Sequence, residues 1–430
     1  MLCSLVWPRA WLSGRAPPSH GGGRWFESTS AHHLLTFILS TRLRSTATAG
    51  LLAIGAFGLY AVRIGNLPLS PAEAEFLHQA ASAGRADGYP LFFQVSDERW
   101  LQPVAVYFTA LLRLVASPET AGRLAAAAVG AINVALIFVL CRRLLISAPL
   151  AVGAALLLMI TPAHFVFART GVDAIYPLPF VLSWLLAMAA YFDGGDRRRA
   201  VAGGLALGIG AFTHPSAPWT MGLLLLVTLL AIWLSGRRGA ASLAVPAAAF
   251  LVPLVVAAAW FAANPSAYPD TFGRWAIHAA HLRSPLDGVL AFVNWNTLGT
   301  RLSLYWGFFD PSWLFLDSPA SPALPLRGTS PFLLATAVAL VAGVAQRLRG
   351  GLTPVTLLLL AGLAFAPLAA STFGSPHAIA DFLVMVPLVV VLAAGGVAEW
   401  LAREEVRWRM LAWGVCAALV IDAARFLASA

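Results

Sequence analysis

Acidic side chains are scarce in this 430-residue chain, 19 in all, yet Glu73, Glu75, Asp87, Asp97 and Glu98 fall together, with His78, inside residues 67–123. A carboxylate that reaches a hydroxyl can take its proton as a general base, and Glu73, Glu75, Asp97 and Glu98 are the candidates. Any one of them fits a solvated loop face equally well; their crowding in an acid-poor chain favours a role for the group. Arg169 and Asp173 stand four apart in FARTGVDAIYPLP. The planar fork of an arginine matches phosphate oxygens, so Arg169 could clamp a lipid phosphate, or it could simply pair with Asp173. Arg123, at the mouth of an apolar run, has the same two uses, because charge near membrane depth is costly and kept for a purpose.

Other residue types are less telling. Tyr305, Trp306, Phe308, Phe309 and Trp313 form an aromatic run that suits an interfacial belt, or a surface on which a sugar or prenyl chain stacks. His214, His278, His281 and His377 share no metal-ligand spacing, so no metal is assigned and each reads as an interfacial hydrogen-bonding group. Cys3, Cys141 and Cys416 lie far apart and form neither a zinc pattern nor a disulfide framework.

The elements that must position these groups are set by composition. The chain is 59% hydrophobic and 11% charged, with a mean hydropathy of +0.78. Soluble domains carry about 25% charged residues, so the expectation is an all-α, polytopic membrane protein. The formal charge is +9 and every basic residue is arginine. No basic stripe interleaved with aromatics marks a nucleic-acid surface, so no nucleic-acid partner is expected.

Eleven apolar runs approach the ~20 residues needed to cross a bilayer, at roughly 47–65, 121–141, 147–167, 176–192, 200–218, 219–235, 242–262, 330–346, 352–371, 380–400 and 410–428. With residue 47 inside, every second join carries arginine: Arg142 and Arg143, Arg197 to Arg199, Arg237 and Arg238, Arg347 and Arg349, then Arg403, Arg407 and Arg409. Cytoplasmic loops collect such residues. The outer face then holds 66–120, 168–175, 213–218, 263–329 and 372–379. Residues 1–46 break the pattern and are expected to be irregular, or to precede the true start; 47–430 form one transmembrane domain. Within the first outer loop, Pro71 to Ala83 has helical spacing with Glu73 early in it, and Pro103 to Val115 suits a helix lying in the interface.

Several stretches resemble, in order, the integral-membrane GT-C glycosyltransferases, specifically bacterial relatives of protein O-mannosyltransferases and lipid A aminoarabinose transferases. They are LSPAEAEFLHQA, WLQPVAVYFTALLRL, ETAGRLAAAAVGAINVALIFVLCRRL, TPAHFVFARTGVDAIYPLPFVLSWLL, YWGFFDPSWLFL and AIADFLVMVPLVVVLAAGGV, spread over residues 50 to 400. The resemblance implies a polyprenyl-phosphate-linked sugar donor, used as substrate with no separate cofactor. It also implies an acceptor glycan, lipid or protein on the outer face of a bacterial plasma membrane, and inversion at the anomeric carbon. An acid of the first outer loop would be the base, Glu73 first and Asp97 next; Arg169 and Arg123 would hold the donor phosphate. Glu75, Trp100, Asp173, Tyr305, Trp306 and His377 would line the pocket. The family's Asp-Glu pair reads Ala72-Glu73 here, which also leaves room for a scaffold without turnover. A flippase for a lipid-linked glycan is the alternative, although no internal repeat and no mid-span charge cluster of the transporter kind is present.

Overall fold

The computed structural model describes residues 26–66, 68–83, 90–96, 99–145, 147–264, 298–316, 330–372 and 378–429. Contacts divide the chain into two units, Met1–Thr48 and Ala49–Ala430. Of the first unit only the beginning of helix α1, Phe26–Ala61, is described, so the expectation of an irregular segment before residue 47 falls largely outside the described residues.

The elements that follow are α2 (Pro71–Ser82), β1 (Phe93–Ser96), β2 (Arg99–Leu101), α3 (Pro103–Leu112), α4 (Pro118–Leu145), α5 (Ala148–Ile160), α6 (Pro162–Phe167), α7 (Pro177–Gly194), α8 (Arg197–Gly210), α9 (Ala217–Leu234) and α10 (Ala240–Ala263). After them come α11 (Leu298–Gly307), α12 (Pro311–Phe315), α13 (Leu334–Arg349), α14 (Pro354–Thr372), α15 (Ile379–Phe382), α16 (Met385–Ala402) and α17 (Val406–Ser429). A 3₁₀ turn, Asp173–Ile175, leads into α7.

All eleven apolar runs are helical. Eight helices among the described residues, in α1, α4, α7, α9, α10, α14, α16 and α17, are long and apolar enough to cross a membrane. The remaining three runs give shorter helices, α5, α8 and α13, of 13, 14 and 16 residues. The run 147–167 is split at Pro162, which starts α6 because a proline suits a first helical turn and not a helix interior. One departure from an all-helical chain is the antiparallel β1–β2 hairpin, with a register shift between Gln94 and Ser96.

The bundle has an inside and a lipid-like outside. The apolar window of α16 is 78% buried and that of α10 only 17%; Leu251, Val252, Val255 and Val256 of α10 are left exposed. Such apolar exposure suits a hydrocarbon surround, where small residues rather than a hydrophobic drive bring helices together. In α13 and α16, Gly343 and Gly396 permit this: a side chain on Gly343 would run into the Leu392 carbonyl, and one on Gly396 into that of Ala339. A polar chain of hydrogen bonds joins α1, α4, α5 and α6. The Tyr60 hydroxyl donates to the Met159 carbonyl at 3.1 Å, so it accepts from Nδ1 of His164 at 3.2 Å, and His164 Nε2 accepts from Asn133 Nδ2 at 3.4 Å. His164 is fully buried and in this arrangement neutral.

The two ends of the bundle differ in charge. At one end, arginines from three joins converge on the C-terminus of α7. Arg143 pairs with Asp193 at 2.5 Å, Arg199 donates to the Ala190 carbonyl, and Arg237 donates to those of Tyr191 and Phe192. The last carbonyls of a helix lack intrahelical partners and carry its negative pole, which is why cations collect there. The joins expected on the opposite side also meet one another. The Val104 N–H donates to the Phe212 carbonyl, Phe92 stacks on Phe212 and Phe261, and Trp313 packs on Phe382. Loops 66–120 and 213–218 therefore share one end, and the 3.7 Å approach of His214 to Asp381 brings the segment at 378–382 to it.

Candidate functional site

Five residues, Arg169 to Asp173, run through the middle of that end, and each polar position serves a different neighbour. The segment is anchored by Glu73. Ser70 caps α2: its hydroxyl accepts from the Glu73 N–H at 3.2 Å and Glu73 Oε2 accepts from the Ser70 N–H at 3.0 Å, a reciprocal capping box. This turns the Glu73 carboxylate inward, where Oε1 accepts from Arg123 Nε at 2.7 Å and from the Gly171 N–H at 2.9 Å, and Oε2 accepts from Arg123 Nη2 at 3.0 Å. Arg123 in turn donates to the carbonyls of Ile64 and Pro68. The contact needs a glycine at 171. A Cβ on Gly171 would lie 3.0 Å from the Gly122 carbonyl carbon and 3.1 Å from the Arg123 nitrogen.

Glu73 is 3% exposed. Burial alone would raise its pKa, but the Arg123 guanidinium and the N–H groups of Gly171 and Ser70 outweigh it and hold the carboxyl below the ordinary glutamate range. With four hydrogen bonds, a carboxylate has used its roughly four acceptor directions. The sequence places Glu73 first as base; the geometry makes it an anchor for the segment that carries Arg169 and Asp173. Arg123, expected to reach the donor phosphate, is likewise engaged with Glu73 and two carbonyls.

Arg169 is held more loosely. Its guanidinium donates to the Leu59 carbonyl at 3.3 Å and lies over the Phe165 ring, 5.1 Å from its centre. It is half-buried, and burial together with the neighbouring Arg123 charge lowers its pKa. Among the described residues it has no carboxylate partner, so the alternative of an Arg169–Asp173 pair does not hold. Two guanidinium groups thus stand near one carboxylate, which leaves local positive charge on the Arg169 side.

Asp173 turns instead to His214. Its Oδ1 lies 3.7 Å from His214 Nε2, while Nδ1 of the same ring lies 3.7 Å from Oδ1 of Asp381. Nδ1 also accepts from the Ser216 N–H at 3.2 Å and is 2.7 Å from the Ser216 hydroxyl. An N–H donor on Nδ1 puts the proton of the neutral ring on Nε2, facing Asp173. Asp173 and His214 are buried, whereas the Asp381 side chain is 19% exposed. No group of three or more His, Cys, Asp and Glu among the described residues is set to hold a metal ion.

No protein-family model and no curated protein sequence matches the chain. Among solved structures, its fold is similar to that of ArnT from Cupriavidus metallidurans bound to undecaprenyl phosphate, with a TM-score of 0.57, 18% identity, and coverage of 86% of this chain and 62% of that one. It is also similar to AglB, an oligosaccharyltransferase from Archaeoglobus fulgidus in complex with an inhibitory peptide and a dolichol-phosphate, with a TM-score of 0.54, 14% identity, and coverage of 90% and 55%. The fold is GT-C-like. The chain spans 62% of the ArnT chain and just over half of the AglB chain.

Within this GT-C-like frame the remaining expected site residues scatter. Glu75 is half-buried on α2. Asp97 and Glu98, which join β1 to β2, lie outside the described residues, as do His377, His278, His281 and the side chain of Trp100. The Tyr305 hydroxyl donates to the Ala364 carbonyl on α14 at 2.9 Å, and its ring packs on Trp306, which is 66% exposed. Neither Tyr305 nor Trp306 contacts the Arg169–Asp173 segment through these bonds. Sequence reasoning left His214 as an isolated hydrogen-bonding residue and passed over Asp381 and Ser216. The available signal was an aspartate at the tip of the apolar run beginning near residue 380, since an ionisable group at a span's edge needs a partner.

Proposed function

We propose that this protein transfers a sugar from a polyprenyl-phosphate-linked donor to an acceptor on the extracytoplasmic face of a bacterial plasma membrane. The observation that carries this reading is the Arg169–Asp173 segment: a cation without a carboxylate partner and an acid–imidazole cluster, placed at one end of a GT-C-like bundle. The likeness to ArnT bound to undecaprenyl phosphate and to AglB with a dolichol-phosphate supports a prenyl-phosphate donor. The arginine-rich joins at the other end support the orientation, because such joins remain cytoplasmic.

In the reaction, the acceptor oxygen attacks the anomeric carbon from the face opposite the phosphate, the carbon–oxygen bond to phosphate breaks, and the configuration inverts. Arg169 stabilises the charge that grows on the leaving phosphate. Glu73 and Arg123 contribute by fixing the backbone from which Arg169 and Asp173 project. The acceptor's proton goes to a carboxylate; of the first-loop acids the sequence ranks Asp97 after Glu73, whose carboxylate is saturated here. The acceptor is a glycan, lipid or protein, and the donor enters from the lipid phase.

Purified protein in lipid, supplied with a panel of sugar-labelled polyprenyl-phosphate hexoses and pentoses, is expected to release free polyprenyl phosphate. Arg169→Ala is expected to slow that release about 100-fold, the usual size of a lost charge-stabilising donor. Consumption of no donor in the panel would overturn the reading.

A further inference from the structure

His214 offers one ring nitrogen to each of two carboxylates that come from different parts of the chain, at the same 3.7 Å separation. Asp173 comes from the 3₁₀ turn before α7, His214 from the turn between α8 and α9, and Asp381 from α15. Three separate elements thus converge on one imidazole. Tyr176 also stands by Asp173, hydrogen-bonded to Thr109 of α3. The adjoining turn of α9 carries no charged side chain, and the arginines of α8 lie at its far end.

A buried ion pair made for stability closes to hydrogen-bonding distance, as Glu73 and Arg123 do. The His214 contacts are about an ångström longer, a gap that must close to hydrogen-bonding distance when the acceptor binds before a proton can cross it, while the ring itself is fixed by Ser216. Imidazole is also the side chain that gains a proton at one nitrogen while releasing one at the other. We infer that Asp381, His214 and Asp173 form a proton relay that receives the acceptor's hydroxyl proton during transfer. This rests on the transferase reading above and assigns the proton's destination to this cluster in place of Asp97. Asp381, the more exposed carboxylate, takes the proton as the acceptor oxygen bonds to the anomeric carbon and the phosphate departs with the bonding electron pair. The resulting Asp381 hydroxyl donates to Nδ1, displacing the Ser216 N–H, and Nε2 passes its proton to Asp173. Asp381 and His214 each gain one proton and lose one, Asp173 gains one, and the proton taken from the acceptor is thereby stored on Asp173 until it returns to water by the reverse path through the more exposed Asp381.

The test uses the full chain in lipid vesicles with the donor that the parent consumes. Asp381→Asn is expected to lower the rate of polyprenyl phosphate release by about 100-fold or more, the usual contribution of a proton-transfer group, with donor binding unchanged. His214→Gln is expected to lower the rate and also to move the acid limb of the rate–pH profile, since the limb belongs to the coupled set. A structural role for His214 would change the melting temperature and leave the profile's limb in place. Parent-like rates and profiles in both variants would overturn the relay, as would loss of turnover in Asp97→Asn alone; in either case the parent's own turnover keeps the transferase reading standing. A parent that consumes no donor removes the reading itself.

Discussion

Glu73 and Asp173 meet the same turn of backbone, Glu73 from α2 through its bond to the Gly171 N–H and Asp173 as the residue two positions after that glycine, yet their charged neighbours stand at different distances. Glu73 has four hydrogen bonds of 2.7 to 3.0 Å and an arginine that shares it with two carbonyls. Asp173 faces an imidazole at 3.7 Å. The difference teaches which acid can move a proton. A saturated carboxylate with a lowered pKa is a weak base whose protonation breaks a network, while an acid facing an imidazole across 3.7 Å can exchange a proton once that gap closes.

The largest effect should come from cutting the anchor. Glu73→Ala leaves a buried guanidinium without its charge partner, a change that costs about 3–5 kcal/mol, and thermal unfolding in detergent should show it; an unchanged melting temperature would mean that the pair does not hold the segment. Gly171→Ala comes next. Its methyl group meets the Gly122 backbone, and overpacking of that kind costs about 1–3 kcal/mol, read by the same melt. Ser70→Ala removes half of the capping box and should cost about 1 kcal/mol. Asp381→Asn keeps the side chain's shape and much of its hydrogen-bonding capacity and should cost no more than about 1 kcal/mol despite its large effect on rate. If Asp381→Asn destabilises more than Ser70→Ala, the two regions are alike and the contrast collapses.

Acid sharpens the same contrast. A carboxyl whose folded pKa lies below its unfolded value of about 4.3 contributes stability that is fully present above that value and is lost as the pH falls through the lowered folded value. Melting temperature should therefore drop as the pH is taken below about 4, and the drop should be shallower in Glu73→Gln, which has no proton to take up there.

Much of the frame was legible in the sequence. The apolar runs became helices because their length and composition leave a chain in lipid little choice, and the alternating arginines marked the end where three of them now cap α7. Helix α2 was readable from Pro71 and Glu73, a proline suited to a first helical turn and an acid early in the run. What the same residues hid was the partner: Arg123 follows Glu73 by 50 positions, and no local pattern says that Gly171 lets the two segments touch. Asp381 was hidden differently, absorbed into an apolar run whose composition it barely changes. The β1–β2 hairpin escaped because two strands of four and three residues are too short for alternation to stand out.

The most direct measurement compares polyprenyl phosphate release by the parent, Ser70→Ala and Asp381→Asn at a temperature where all three are folded. The parent and Ser70→Ala should release it at equal rates, with Asp381→Asn slower by about 100-fold or more. Asp381→Asn keeping pace with the parent would contradict the assignment of proton transfer to the acids that face His214.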